Sequence, residues 1–273
     1  MPIVIINKMK VLKNSFFKKS IFIIIFIIGI FPCLEVDAKN YTRSLVVAAE
    51  PNMVYALTKI ARIYSGENNV AISISFDSSD KLIDDIDLGE GIDLFISANY
   101  HQIKALKQKA SFDIYNSPII AFDHLLLATL ATNPSIPDEL RDKKISITEA
   151  IKILSNNDII LMIDCSESFL GKYSKEMIDK IIDSNLKLTI KADDDKNQLI
   201  EDLYQGNNYA ILLASQIKNK RDLFIINDPN QDDISYQALI IAGDNMELAR
   251  EFVKFLQSNE AKAIFSDSGF IVN

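Results

Sequence analysis

From Ser44 onward the spacing of apolar positions changes repeatedly, and each change marks an element. Ser44-Leu45-Val46-Val47-Ala48-Ala49 is a nearly continuous apolar run, as expected of a buried strand. Glu50-Pro51-Asn52 interrupts it, after which Met53, Ala56, Leu57, Ile60, Ala61 and Tyr64 recur on one helical face until Gly66. Val70–Phe76 then alternates apolar and polar residues, the period of a half-buried strand. Asp77-Ser78-Ser79-Asp80 ends that run, and Leu82, Ile83 and Ile86 follow at helical spacing. Gly89 and Gly91 close the helix, and Asp93-Leu94-Phe95-Ile96-Ser97 reads as another strand. The stretch 70–99 is therefore a βαβ unit with a small polar loop where its first strand meets its helix. Ligands of open α/β folds sit beyond the carboxyl ends of strands, at turns of this kind. Unpaired N–H groups and the helix dipole suit such a turn to an anion. Ser78 and Ser79 add hydroxyl donors, although a serine there also serves simply as a helix cap.

The alternation continues downstream. Residues 99–109 predict a short amphipathic helix, and 119–130, around Ala121-Phe122-Asp123-His124, an apolar block. Ser146 with Glu149 has the spacing of a capping box at the start of a helix. Ile159-Ile160-Leu161-Met162-Ile163 predicts a buried strand, 164–170 its loop and 171–184 a helix. Residues 186–190 form another strand, and Asp193-Asp194-Asp195 opens a helix over 196–204. Tyr209–Leu213 and 235–242 are further strands, and Met246–Leu256 and 259–265 are closing helices. Strands alternating with helices imply an α/β architecture with mostly parallel sheets. No flexible tether separates domains, so a second lobe must be inserted by strands that cross directly, near Ser117 and near Asp233. The expected lobes are 39–117 plus 234–273, and 118–233.

The amino-terminal stretch has a different character. Lys8, Lys10, Lys13, Lys18 and Lys19 precede the largely apolar run 21–31, Pro32 ends it, and Val36-Asp37-Ala38 offers small residues for a signal peptidase. This is the layout of a secretory signal over 1–38, cleaved after Ala38, with Met9 an alternative start. The run is short for a retained membrane anchor, and Pro32 before Cys33 fits a lipoprotein cleavage site poorly. With that net +3 segment gone, the formal charge falls from −8 to −11, which argues against nucleic acid and anionic lipid as partners. Roughly 235 residues remain, enough for substantial cores. Cys165 alone would survive, so no intramolecular disulfide is expected.

Catalytic signatures are missing. His101 and His124 are the only histidines, and the chain has no HExxH, GxSxG or phosphate-cradling GxxxxGK. Asp193 to Asp195 suits a helix start electrostatically and lacks the spaced oxygens of a calcium loop. What remains is a set of strand-to-helix turns around Asn52, Ser79, Leu170 and Asp195. If two lobes face each other, these turns converge on a cleft lined by backbone N–H groups and neutral side chains, as a buried anion requires. Lys81, Lys172 and Lys196 follow these turns closely, as solvated surface or as a sign of a nearby anion.

These residues resemble the periplasmic molybdate-binding proteins of ABC importers, within the two-lobed periplasmic-binding superfamily. FDSSDKLIDDIDLGEGIDLFISAN is similar to that family's second-loop motif, EAKAIFSDSGF to its closing helix, and AAEPNMVYALTKIA to its first-loop motif. The resemblance implies a monomeric, periplasmic, non-enzymatic binding protein without a cofactor, which delivers molybdate or tungstate to a membrane permease. Its ligand positions fall on Asn52, Ser79 with Ser78 beside it, and the backbone N–H groups of Leu170 and Asp195. Two departures stand out. The family's ligand-binding tyrosine aligns with Leu213, and Asp195 would place a carboxylate near an anion. A protein retuned to sulfate, phosphate or an organic anion is therefore an alternative. So is an enzyme on the same scaffold, with Asp77, Asp80 and Asp195 as its acids.

Overall fold

The computed structural model describes residues 41–99, 103–104, 106, 108, 112–113, 117–141, 145–155, 159–164, 169–181, 189–193, 196–206, 208–218, 220–228 and 233–273. The expected leader, residues 1–38, and Asp195 lie outside them.

The first sheet is built around β1 (Arg43–Ala49), which pairs in parallel with β2 (Val70–Phe76) on one side and β3 (Leu94–Ser97) on the other. β11 (Ile234–Ile241) runs antiparallel to β3 and carries β4 (Phe112–Asp113) and β5 (Ile119–Asp123). The second sheet has the order β10 (Leu223–Asn227), β6 (Leu125–Leu130), β9 (Tyr209–Leu213), β7 (Ile160–Asp164), β8 (Thr189–Asp193). Here β7 is parallel to β8 and β9, and β6 antiparallel to β9 and β10. Each sheet thus has a parallel trio, which turns its carboxyl ends to one edge, and antiparallel strands next to the crossings.

The chain passes between the sheets at His124, where β5 ends and β6 begins, and again between Asn227 and Ile234. The first crossing lies beyond the Ser117 expected from sequence. Residues 119–130 form one apolar block, and a single Asp-His pair inside it divides two strands of different sheets. Apolar pattern alone carries no mark of that division, because both halves are buried.

Helices cover the sheets as the periodicity dictates. α1 (Val54–Asn68) buries Ala56, Leu57, Ile60, Ala61 and Tyr64, and the Tyr64 ring meets Phe252 edge-on at 5.0 Å. α2 (Ser79–Asp87) is capped by Ser78, and α3 (Ile147–Leu154) has the expected Ser146–Glu149 capping box. α4 (Phe169–Ile181) and α5 (Lys196–Leu203) follow β7 and β8, and the single-turn α6 (Ala214–Ile217) follows β9. α7 (Met246–Leu256) and α8 (Asn259–Asp267) return to the first sheet's helical layer, where Phe252, Leu256 and Phe265 are buried.

After α8 the tail turns at Gly269, whose φ is +96°, and Ile271 exchanges backbone hydrogen bonds with Phe122 of β5, both at 2.8 Å. The tail therefore lies beside the first crossing, and Gly269 packs directly on Ser215 and Lys218.

Candidate functional site

The carboxyl ends of β1, β2 and β3 meet in a buried polar triad. Glu50 follows β1, Ser79 begins the helix after β2, and Ser97 ends β3; all three are fully buried. Glu50 Oε1 accepts hydrogen bonds from Ser79 Oγ and from Ser97 Oγ, the latter at 3.0 Å. The two hydroxyl oxygens are 2.9 Å apart, and the backbone N–H of Asn99 donates to Ser97 Oγ at 3.0 Å. Parallel pairing fixes this convergence, since it brings all three strand ends to the same edge. Asp93, from the motif that carries the resemblance, acts as a clamp. Its carboxylate accepts the Val46 N–H at 2.8 Å and the Asn245 Nδ2 at 3.2 Å.

A second group joins the two sheets. Asn52 Nδ2 donates to the Tyr236 hydroxyl of β11 at 2.6 Å and to Ser215 Oγ of α6 at 3.2 Å. Its Oδ1 is buried without a hydrogen-bond partner among the described residues. Asp123, fully buried at the crossing, accepts the N–H groups of His124 at 2.8 Å and Ser215 at 3.3 Å on Oδ1. Burial pushes its pKa up to about 6, against the opposing effect of its Ser215 and His124 hydrogen bonds. The Tyr236 hydroxyl is held well above its ordinary pKa, first by burial and then by the negative charge of Asp123, with Glu50 adding to it. A pocket of about 230 Å³ opens beside Asn52 and Ser215.

Further contacts hold the faces together. Lys172 Nζ of α4 pairs with Asp80 Oδ2 of α2 at 2.6 Å, and the Tyr173 hydroxyl donates to the Ala98 carbonyl at 3.4 Å. The Phe169 ring meets Tyr236 edge-on at 5.9 Å, and Phe270 meets it from another side at 5.3 Å.

Of the residues singled out from sequence, Asn52 and Ser79 enter buried polar groups at the meeting of strand ends. Ser78 caps α2: its Oγ lies 3.5 Å from the Lys81 N–H, and its own N–H donates to Asp77 Oδ1 at 2.7 Å. Leu170 is buried in the first turn of α4, next to the Phe169 that touches Tyr236. Leu213 ends β9 with its side chain buried in the core and its N–H donating to Gln216 Oε1 at 2.9 Å. Lys81 pairs with Asp85 and Lys172 with Asp80, while the side chain of Lys196 lies outside the described residues. Sequence reasoning missed Glu50, Ser97, Asp123, Ser215 and Tyr236. Glu50 left one signal, a charged residue directly after an unbroken apolar run, where burial at the strand end was to be expected.

Replacing Asn52 by alanine removes the Nδ2 donor to the buried Tyr236 hydroxyl and the contact to Ser215. We expect a loss of about 1–3 kcal/mol in unfolding free energy, measured by urea denaturation. A loss within error of zero would mean that the contact is replaced by water.

Two sheets joined by direct crossings, with polar groups from both meeting between them, define the architecture of a two-lobed solute-binding protein. Residues 45–271 match the bacterial extracellular solute-binding protein family, and the chain belongs to that family. Among solved structures, a substrate-binding domain from Clostridium difficile assigned to a molybdenum ABC transporter is 22% identical, with a TM-score of 0.65 over 85% of this chain and 100% of that one. The Azotobacter vinelandii periplasmic molybdate-binding protein is 16% identical, with a TM-score of 0.60 over 84% and 99% of the two chains. The tungstate-binding protein TupA of Desulfovibrio alaskensis G20 is 12% identical, with a TM-score of 0.68 over 85% and 99%. At these identities the likeness establishes the fold. No curated protein sequence matches the chain.

Proposed function

We propose that this chain is an extracytoplasmic receptor that holds a small solute between its two sheets and presents it to the permease of an ABC importer. The observation that carries the proposal is the meeting of strand-end polar groups from both sheets around Tyr236, where Asn52 of the first sheet touches Ser215 of the second. A solute gripped by both sheets would favour their closed arrangement, which a permease can then recognise. Under this reading the ligand groups are Asn52, Ser79 with Ser78 at its helix start, and the first turns after β7 and β8 at Leu170 and Asp195. The protein works as a monomer, without cofactor or catalytic step. Asp80 fits this role, being engaged by Lys172.

Molybdate or tungstate is the ligand that the resemblance implies, and the names of the structural relatives support it. One specific observation favours the second reading, a receptor retuned to another small anion or solute. The Ser79 hydroxyl is already engaged by Glu50, and Leu213 offers no hydroxyl in place of the family's tyrosine. The test is thermal and chemical unfolding of the purified protein against a panel of molybdate, tungstate, sulfate, phosphate and small organic acids. A solute at a hundredfold excess over its Kd adds about 2.7 kcal/mol of stability. Stabilisation by at least one panel member is expected. A panel without any effect would count against solute capture by this cleft.

A further inference from the structure

We propose that the cavity beside Asn52 receives a small organic anion, and that Lys218 and Lys220 hold its acid group by charge. The proposal rests on the solute-binding reading, in its form of a receptor retuned to another small anion, and names the class of solute. The cavity, about 230 Å³ in volume, is bordered from both sheets: Asn52 and Tyr55 follow β1, Lys218 and Lys220 follow β9, and Asp267 ends α8. Neither Ser79 nor Leu170 lines it, so a solute there meets other groups than the donors expected from the sequence.

The neutral side chains of the lining are largely engaged inside the protein. Ser215 Oγ accepts from Asn52 Nδ2 at 3.2 Å, Gln216 Oε1 accepts the Leu213 N–H at 2.9 Å, and Ser268 Oγ donates to the Ile264 carbonyl at 2.7 Å. The charged groups are less committed. The Lys218 ammonium donates to the Ser266 carbonyl, which leaves two of its three N–H groups for a ligand. Lys220 Nζ lies 5.5 Å from the centroid of the Tyr204 ring, a contact that does not cancel its charge. Among the described residues neither lysine has a carboxylate partner, and Asp267 has no cationic one. Two lysines against one aspartate leave the lining with an excess of one positive charge.

An anion recovers through these ammonium groups the interactions it loses with water, and an uncharged solute leaves the excess unmatched. Size and shape narrow the class further. The space equals that of roughly seven waters, more than a bare tetrahedral oxyanion occupies. Tyr55, 65% exposed, offers a ring for a carbon body to cover. An acid group on a short carbon body answers to both features.

Titration calorimetry with lactate, malate and benzoate tests this, with lactamide and benzamide as uncharged matches and tungstate as a bare oxyanion. The proteins are the wild type, Lys220→Gln and the double variant Lys218→Gln/Lys220→Gln. Glutamine stays polar while removing the charge. Urea denaturation of each variant separates folding from binding, and Lys220→Gln, which keeps the tie from Lys218 to Ser266, serves if the double variant does not fold. At least one of the three acids is expected to bind the wild type, with its uncharged match, tungstate and the double variant each weaker by about tenfold or more. Added salt should weaken binding to the wild type and change little in the double variant. Unchanged affinity in the double variant, or in Lys220→Gln where it alone folds, would overturn the role of the lysines and leave solute capture standing. Tungstate binding more tightly than all three acids would do the same, as would binding of none of the acids while an inorganic oxyanion of the panel stabilises the wild type. If no panel member binds or stabilises the wild type, both fall.

Discussion

Gly269→Ala is expected to lower the unfolding free energy by about 3 kcal/mol, a large share of the margin of an ordinary domain. Two effects add. At φ +96° the backbone is in a region that an L side chain enters only with strain. A Cβ there would also lie 2.9 Å from the Ser215 Cα and 3.1 Å from the Lys218 Cβ. The first of these atoms is backbone, so the turn of α6 has to move rather than a flexible side-chain end. Ser215 also contacts Asn52 and Asp123, so the disturbance reaches the groups that join the two sheets. Urea denaturation of the variant measures the loss directly. A change below about 1 kcal/mol would mean that the tail repacks freely and does not brace the crossing.

The second large effect is a pH dependence at the crossing. Asp123 has a folded-state pKa of about 6 against an ordinary 3.8, with burial as the main cause. A raised carboxylate pKa means that the folded state holds the proton more tightly than the unfolded chain does. The stabilising contribution is complete below about pH 4 and is lost as pH rises through about 6. A shift of this size corresponds to about 3 kcal/mol. Other carboxylates stabilise in the opposite direction, so the measurement is the difference between the wild type and Asp123→Asn, by denaturation from pH 4 to pH 7. The variant should gain on the wild type by about 3 kcal/mol across that window and by little above it. A difference that stays flat would mean that Asp123 is hydrated in solution. His124, Tyr236 and Glu50 lie in the same electrostatic neighbourhood, but the window named belongs to Asp123.

How much of this was legible in the sequence depends on which physical signal each feature leaves. The βαβ unit from Val70 to Ser97 was readable because its strand alternates and its helix is bounded by serine and glycine, which fix the period and both ends. The Ser146–Glu149 box was readable for the same reason, as a local motif satisfied by local atoms. The crossing at His124 was not, since buried strands of two sheets follow one another there with nothing but an Asp-His pair between them. Asn52 and Ser79 stood out as polar residues at strand-to-helix turns, but their partners did not. Ser97 and Tyr236 sit in strands whose pattern marks them as core, and only the pairing of β1 with β3 and of β3 with β11 brings them to Glu50 and Asn52. Long-range register of this kind leaves no trace in a local window. It is also what turned Ser79 from an available donor into one held by a carboxylate.

The central claim is that a small solute sits between the two sheets, against Asn52. Calorimetric titration of the purified wild type and Asn52→Ala, with whichever panel solute stabilises the wild type, addresses it most directly. One site per chain is predicted, with affinity about tenfold or more weaker in the variant. One site with unchanged affinity in the variant would place the solute elsewhere on the molecule and contradict the account.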